Sequence, residues 1–304
     1  MFKIILKFIP LIFLVGCASK PITWKERILN HNTAPVSLAF SEYGDKTNKT
    51  LLFLHGFGEN RKTWRFLIPS LSKNYHLIMV DLKGFGDSPA QDDKDYSVYD
   101  QAYFVKEFME EKNLQDVTLV GRSFGGGVAL VLALMQEDKL IQNKIRNLIL
   151  INSMAYKQRL PSMLRTLNQP IIGFLGIHLI SNDWMAEEGY RLAFYDDSLI
   201  SKESLKYTSE YLSHPLAKYA YLQTVDQLIP DDIAEMQKRY KEITLPTLIL
   251  WGKEDLSIRV STAKKLRRDL RNSTLKVFPL VGHMAQEEIP QKVSVEIHKF
   301  MEVN

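Results

Sequence analysis

The segment Gly121-Arg122-Ser123-Phe124-Gly125 constrains the fold of this chain more than any other. The largely apolar residues 117–120 before it predict a short buried strand, and residues 128–134 after it are rich in helix formers. A serine in a sharp turn between such a strand and helix stands clear of the sheet, and the flanking glycines leave room for the turn. The first turn of the helix directs free N–H groups and its positive dipole end to the same point. The segment therefore predicts a nucleophilic serine, with an ordinary glycine turn as the alternative.

Strands and helices alternate on both sides of this segment. Further strands are predicted at residues 36–40, 50–54, 77–80, 147–152, 247–251 and 274–278. This alternation predicts an α/β fold with a doubly wound, mostly parallel sheet that is covered on both faces. Between residues 154 and 235 the pattern gives way to helical patches without a strong strand. We therefore predict a core over 34–153 and 236–304 and a helical cap over 154–235, inserted after the sixth strand.

Composition excludes several classes of function. The chain has 304 residues, of which 45% are hydrophobic, and it can bury a large core without disulfides. The net charge of +4 is too small to indicate nucleic-acid binding. We find no metal-ligand spacing, no phosphate-binding glycine loop and no nucleotide fingerprint, so we predict no metal and no cofactor.

The N-terminus contains the single cysteine, Cys17. Two early lysines and the apolar residues 8–15 have the pattern of a signal peptide rather than a membrane span. Residues 14–17, Leu-Val-Gly-Cys, resemble the lipobox of bacterial lipoproteins. The resemblance implies a signal peptide over 1–16, lipidation of Cys17, a tether over 17–33 and anchoring in the bacterial cell envelope, with Ser19 favouring the outer membrane. An uncleaved membrane-proximal helix is the alternative.

A serine needs a base to remove its proton, and the base needs a carboxylate that orients it. His283 is the candidate base because it follows the last predicted strand and a glycine. Asp255 is the candidate acid because it follows the strand at 247–251, and the order serine, acid, histidine is the one this kind of sheet uses. Two alternatives stay open: Asp255 caps the next helix instead, or the adjacent Glu254 is the acid.

The third requirement is a pair of donors for a developing oxyanion. One donor should be the backbone N–H of Phe124, directly after the serine, and the other should lie in the loop after the strand at 50–54. That loop contains His55-Gly56-Phe57-Gly58, in which we predict the N–H of Phe57 as donor. A plain glycine turn is the alternative for this loop.

Together these motifs resemble the α/β-hydrolase fold superfamily, in its capped serine hydrolase group of esterases and lipases. The resemblance rests on residues 55–58, 81–88, 121–126, 252–255 and 282–283, with Glu288 and Pro290 following. It implies a small-molecule ester or lipid substrate, cleaved through an acyl-enzyme without a cofactor. A carbon–carbon bond hydrolase, a haloperoxidase-like enzyme and a non-catalytic ligand-binding protein remain alternatives.

Three features keep two interpretations each. Arg122 stands where many relatives carry a smaller or uncharged residue, and it either raises the local potential or points away. The apolar residues 171–177 either line an acyl pocket or form the core of the cap. The basic residues between 264 and 271 form either a solvated face or a contact with an anionic membrane.

Overall fold

The structure is a computed structural model, and it describes residues 23–31, 33–142 and 144–304 of the chain. Its strands are β1 (Phe40–Tyr43), β2 (Thr50–Leu54), β3 (His76–Val80), β4 (Val117–Arg122), β5 (Ile145–Ile151), β6 (Thr247–Gly252) and β7 (Ser273–Phe278). They form one sheet in the order β1-β3-β2-β4-β5-β6-β7. β2 to β7 run parallel and β1 pairs antiparallel with β3, so the predicted α/β class with a mostly parallel sheet is confirmed.

Helices connect the strands and cover both faces of the sheet. They are α1 (Trp24–Leu29), α2 (Ile68–Leu71), α3 (Val98–Glu111), α4 (Phe124–Glu137), α5 (Ser162–Leu167), α6 (Pro170–Leu179), α7 (Asn182–Ala193), α8 (Lys202–Tyr211), α9 (Ala217–Asp226), α10 (Ile233–Lys238), α11 (Val260–Asp269), α12 (Ala285–Glu288) and α13 (Pro290–Val303). Alternate residues of β2 enter opposite cores: Leu52 belongs to the core that includes residues of α3, α4 and α11, while Phe53 belongs to the core that includes residues of α13. The sheet is therefore doubly wound, as predicted.

Two details differ from the sequence prediction. The first strand was expected at 36–40 but lies at Phe40–Tyr43, because its position is set by pairing with β3, where Phe40 is opposite Val80. The helices α5 to α10 between residues 162 and 238 were predicted to follow the sixth strand. Among the described residues they follow the fifth, because five strands, β1 to β5, precede α5, as in the strand positions expected from the sequence.

The described part of the predicted tether contains a packed helix. Thr23 and Glu26 form a capping box at the start of α1, and Trp24 and Ile28, four residues apart, are buried on the core. Arg27 adds a bidentate pair with the buried Asp100 of α3. Cys17 and the predicted signal peptide lie outside the described residues. None of the helices that the structure describes is long and apolar enough to cross a bilayer.

The turn after β4 lies at the centre of the sheet, since β4 is the fourth of seven strands. Ser123 in this turn has φ 50° and ψ −117°, a conformation that costs energy for a residue with a side chain. A Cβ on Gly121 would lie 2.6 Å from the carbonyl oxygen of Gly125, and a Cβ on Gly125 would overlap the carbonyl oxygen of Leu54. The two glycines therefore allow the tight turn that presents Ser123 at the carboxyl end of the sheet.

Candidate active site

Ser123, His283 and Asp255 form a continuous hydrogen-bonded row. The Ser123 Oγ lies 2.9 Å from Nε2 of His283, and Nδ1 of His283 lies 2.7 Å from Oδ2 of Asp255. All three residues are buried, and they follow β4, β6 and β7 at the same edge of the sheet. Because a carboxylate can only accept, Nδ1 of His283 carries the hydrogen and Nε2 is left to accept from the serine hydroxyl. The row is suited to removing a proton from the serine.

The structure distinguishes Asp255 from its neighbour Glu254, because Asp255 is the one that contacts His283. The helix-cap interpretation of Asp255 is wrong, although one carboxylate oxygen does accept from backbone N–H groups while the other serves the histidine. Oδ1 accepts from the backbone N–H groups of Ser257 and Ile258 at 2.8 Å each, while Oδ2 faces the imidazole. The cap is a local turn and not the start of α11, whose N-cap residue is Arg259. Four acceptor contacts of one carboxylate fix its orientation.

Asn152 supplies the fourth of these contacts, and sequence reasoning missed it. Its side-chain Nδ2 donates to Oδ2 of Asp255 at 2.7 Å and to the carbonyl oxygen of Gly282 at 3.2 Å. Asn152 follows β5 with φ 45°, a conformation that asparagine tolerates better than most residues. The signal in the sequence that could have identified Asn152 was a polar residue directly after an apolar strand. Asn152 ties the acid to the loop that carries His283.

The two predicted oxyanion donors lie beside the serine. Phe124 is fully buried at the first position of α4, and Phe57 lies in the loop after β2. Neither backbone N–H donates to another residue within 23–31, 33–142 and 144–304. Tyr221 of α9 packs on this loop, with its ring centroid 4.3 Å from that of Phe57. Neither N–H is therefore occupied by a protein acceptor in those ranges, as an oxyanion donor requires.

His55 shapes the loop that contains Phe57. Burial lowers the pKa of His55 to about 4, so its ring is neutral at ordinary pH. Nδ1 donates to the carbonyl oxygen of Gly56 at 2.7 Å, and Nε2 accepts from the backbone N–H of Leu82 at 3.0 Å. A neutral imidazole satisfies one donor and one acceptor here, which a charged ring cannot do. The histidine in this motif therefore joins the loop after β2 to the loop after β3.

Arg122 joins the loop after β2 to the loop that contains His283. Its Nη1 lies 2.8 Å from Oε2 of Glu59, and its Nη2 donates to the carbonyl oxygen of His283 at 3.2 Å. The same Glu59 oxygen accepts from the backbone N–H of Gly56 at 2.9 Å. The side chains of Arg122 and Glu59 are 3% and 7% exposed. The guanidinium does not point away: it links the loop of Phe57 to the loop of His283, and Arg122 and Glu59 are among the residues around the same cavity as Ser123.

The loop of His283 is also held by Glu288 and by α7. Glu288 accepts from the backbone N–H groups of Gly282 at 2.9 Å and of Tyr195 at 3.0 Å. Burial raises the pKa of Glu288, while these N–H donors act in the opposite direction. The backbone N–H of His283 itself donates to the carbonyl oxygen of Ala193 at 2.6 Å. The position of the histidine thus depends on residues at the end of α7.

A cavity of about 140 Å³ opens onto Ser123 and His283. Its walls come from the loops after β2 and β5 and from α5, α7, α8 and α9. They are mainly apolar: Met154, Leu160, Met163, Leu164, Leu212 and Leu228. Residues 171–177 are not among its lining residues. Such a cavity suits an apolar acyl group beside a few polar groups.

Comparison with known proteins agrees with the fold and with hydrolase chemistry. Lipase 3 of Moraxella sp. (strain TA144) is 25% identical, over 90% of this chain and 90% of its own length. The 2-hydroxy-6-oxo-6-(2'-aminophenyl)hexa-2,4-dienoic acid hydrolase of Metapseudomonas resinovorans is also 25% identical, over 86% of both chains. The crystal structure of a bacterial membrane phospholipase A superposes with a TM-score of 0.72 at 25% identity, covering 88% of this chain and 84% of that one. Residues 49–290 match the alpha/beta hydrolase fold family, and this chain is therefore a hydrolase that belongs to that family.

Proposed function

We propose that this hydrolase cleaves carboxylic esters through an acyl-enzyme on Ser123. The observation that supports the proposal most directly is the row from Ser123 Oγ through His283 to Asp255, with contacts of 2.9 and 2.7 Å. Serine is a weak nucleophile until a base takes its proton, and a contact of this length allows that transfer. The apolar lining of the cavity beside the serine supports a substrate whose acyl group is apolar.

The proposed reaction has two steps, acylation of Ser123 and then hydrolysis of the acyl-enzyme. In the first, Oγ of Ser123 bonds to the ester carbonyl carbon while Nε2 of His283 takes the hydroxyl proton. The N–H groups of Phe57 and Phe124 stabilise the resulting oxyanion, and the carbon–oxygen bond to the alcohol breaks as Nε2 returns the proton to the leaving oxygen. In the second step, a water loses its proton to Nε2, attacks the acyl carbon and releases the acid, and Ser123 regains its proton. Asp255 holds the imidazole and stabilises its charged form.

The test is Ser123→Ala measured on short p-nitrophenyl esters. We expect a loss of kcat of at least about 10⁴-fold, because the remaining site would retain only binding and oxyanion stabilisation. Full activity of this variant would contradict the proposal. Labelling of Ser123 by a fluorophosphonate probe distinguishes an enzyme from a non-catalytic binding protein of this fold. Faster turnover of a vinylogous diketone than of any ester would favour a carbon–carbon hydrolase.

We also propose that the mature chain is lipid-anchored at Cys17 in a bacterial envelope, in the outer membrane, with residues 154–235 acting as a cap over the site. The lipobox-like residues 14–17 support the anchor. Packing of Tyr221 on Phe57 supports the cap. Expression with a radiolabelled fatty acid tests the anchor, since Cys17→Ser should abolish incorporation. Label in the Cys17→Ser variant would contradict it.

A further inference from the structure

The helix α6 exposes apolar residues where a surface helix is expected to be polar. Within α6 only Gly173 and Ile177, four residues apart, are buried. The α6 face, as defined here, consists of the remaining large apolar side chains, which are 49–80% exposed: Ile171, Ile172, Phe174, Leu175 and Leu179. Of the two sequence interpretations of residues 171–177, the acyl-pocket one is wrong because none of these residues lines the cavity, and the cap-core one holds for the buried Ile177 but not for the exposed side chains. A contiguous apolar surface of this kind marks an interaction site.

The α6 face lies next to the part of the chain that lines the cavity. Leu160, Pro161, Met163 and Leu164 line the cavity, and α5, which contains the last two, leads within three residues into α6. The two helices are closely packed, because a Cβ on Gly173 would overlap the carbonyl oxygen of Leu167 at the end of α5. What contacts the α6 face is therefore also close to the walls of the cavity.

The charged residues of the segment 157–182, which contains α5 and α6, have one sign, and the first acidic residue after the segment is Asp183 in α7. Lys157, Arg159 and Arg165 are exposed, whereas residues 157–182 contain no aspartate or glutamate. An apolar helix face beside basic residues is complementary to a lipid surface with anionic headgroups. A second copy of the chain fits less well, because a two-fold contact would bring the same basic residues toward each other.

We propose that the α6 face docks on a phospholipid bilayer that contains anionic lipids. The apolar side chains enter the boundary between headgroups and acyl chains, and the three basic residues contact the headgroups. Docking brings the cavity wall formed by α5 toward the bilayer. The binding does not depend on the ester chemistry proposed above, and only its use in delivering a lipid substrate rests on that chemistry.

Trp184, which follows the last residue of α6 by five positions in the chain, serves as the reporter for this docking. It has four tryptophans, of which Trp24, Trp64 and Trp251 are at most 5% exposed, while Trp184 in the first turn of α7 is 48% exposed. The experiment uses the full chain with Cys17→Ser, so that a lipid anchor does not contribute. It is titrated with vesicles of brominated phosphatidylcholine and phosphatidylglycerol. We expect vesicles to quench and blue-shift the emission of Trp184, and Trp184→Phe to abolish both effects.

Matched variants separate the α6 face from other apolar residues. Phe174→Asp with Leu179→Asp should raise the apparent dissociation constant for the vesicles by about tenfold or more, because two inserted side chains become charged. Val303→Asp, at a side chain that is 78% exposed on α13, should leave it unchanged. Vesicles of phosphatidylcholine alone should bind several-fold more weakly. If the double variant is unfolded by circular dichroism, Leu179→Asp alone takes its place.

Three results would overturn the proposal. Flotation with vesicles without quenching of Trp184 would assign binding to another surface, such as the exposed basic residues of α11. A shift of Trp184 emission that depends on protein concentration and not on lipid would indicate self-association. Equal vesicle binding by the double variant and by the protein with an unmutated α6 face would show that this face does not contact the bilayer. Hydrolysis of a soluble p-nitrophenyl ester, measured on every variant, reports separately on the proposed function and should not change in the double variant.

Discussion

Replacing Arg122 by methionine tests its ion pair with Glu59. Methionine keeps much of the length and apolar volume of arginine but removes the charge, leaving Glu59 buried without its cation. With both side chains less than a tenth exposed, solvent screens the pair little. Removal of one partner of a buried pair costs about 3–5 kcal/mol in the free energy of unfolding. The variant should therefore remain folded, but with a large fraction of its stability lost.

The assay is urea denaturation combined with ester kinetics. A loss of about 3–5 kcal/mol, at a slope of about 3 kcal/mol per molar urea, lowers the midpoint by about 1–1.7 M. The double variant Arg122→Met with Glu59→Gln should recover about 1–3 kcal/mol of this loss, because the glutamine oxygen still accepts from Gly56 without leaving a charge. Since Arg122 also contacts the carbonyl oxygen of His283, we expect kcat to fall in both variants and KM to change less.

The matched control is Arg165→Met, at an exposed arginine of α5, which should change the free energy of unfolding by less than about 0.5 kcal/mol. A loss below about 1 kcal/mol in Arg122→Met, or strictly additive losses in the double variant, would refute the reasoning. In that case the pair would not be the link between the loops of Gly56 and His283.

Three further predictions follow from single contacts. Gly125→Ala should lower the free energy of unfolding by about 1–3 kcal/mol, because its Cβ would overlap the carbonyl oxygen of Leu54. Gly176→Ala on α6 should raise the free energy of unfolding by about 0.5–1 kcal/mol, because its Cβ would meet no atom within 4 Å. Folding lowers the pKa of His55 from 6.5 to about 4, so the unfolded state binds this proton first as the pH drops. The contribution of His55 to stability should therefore be complete above pH 6.5, and the free energy of unfolding should fall by about 3 kcal/mol toward pH 4. The profile should be flatter in His55→Asn. Asn152→Ala should lower kcat about 10-fold or more with little change in KM, because Asp255 loses a hydrogen bond that fixes its orientation.

Urea denaturation checks the first two predictions and steady-state kinetics checks the third. Equal stabilities of the two alanine variants would contradict the packing argument at the turn. An unchanged pH profile in His55→Asn would mean that other groups cause the acid loss. An effect of Asn152→Ala on KM alone would point to a contact with substrate rather than a positioning role.

Much of the fold follows from local patterns in the sequence. The apolar strands and the helices between them predicted a parallel sheet, and the glycines around Ser123 predicted the turn, because backbone geometry and burial depend on neighbouring residues. The chain order of Ser123, Asp255 and His283 was enough to predict that they meet, since the carboxyl ends of parallel strands lie at one edge of the sheet. Exact strand limits were less predictable, as β1 shows, because pairing with β3 decides its position.

Contacts between distant segments were decided only by the tertiary structure. The choice of Asp255 over Glu254, the hydrogen bonds of Asn152 and the ion pair of Arg122 with Glu59 join loops that lie far apart along the chain, and no local pattern specifies such contacts. The same holds for α6: its apolar sequence predicted burial, but the packing of its neighbours covers only Gly173 and Ile177. Sequence by itself determined which residues could form the sheet and the site. Tertiary packing decided which side chains face one another and which apolar surface stays in contact with solvent, because both depend on the relative positions of elements that the chain brings together only on folding.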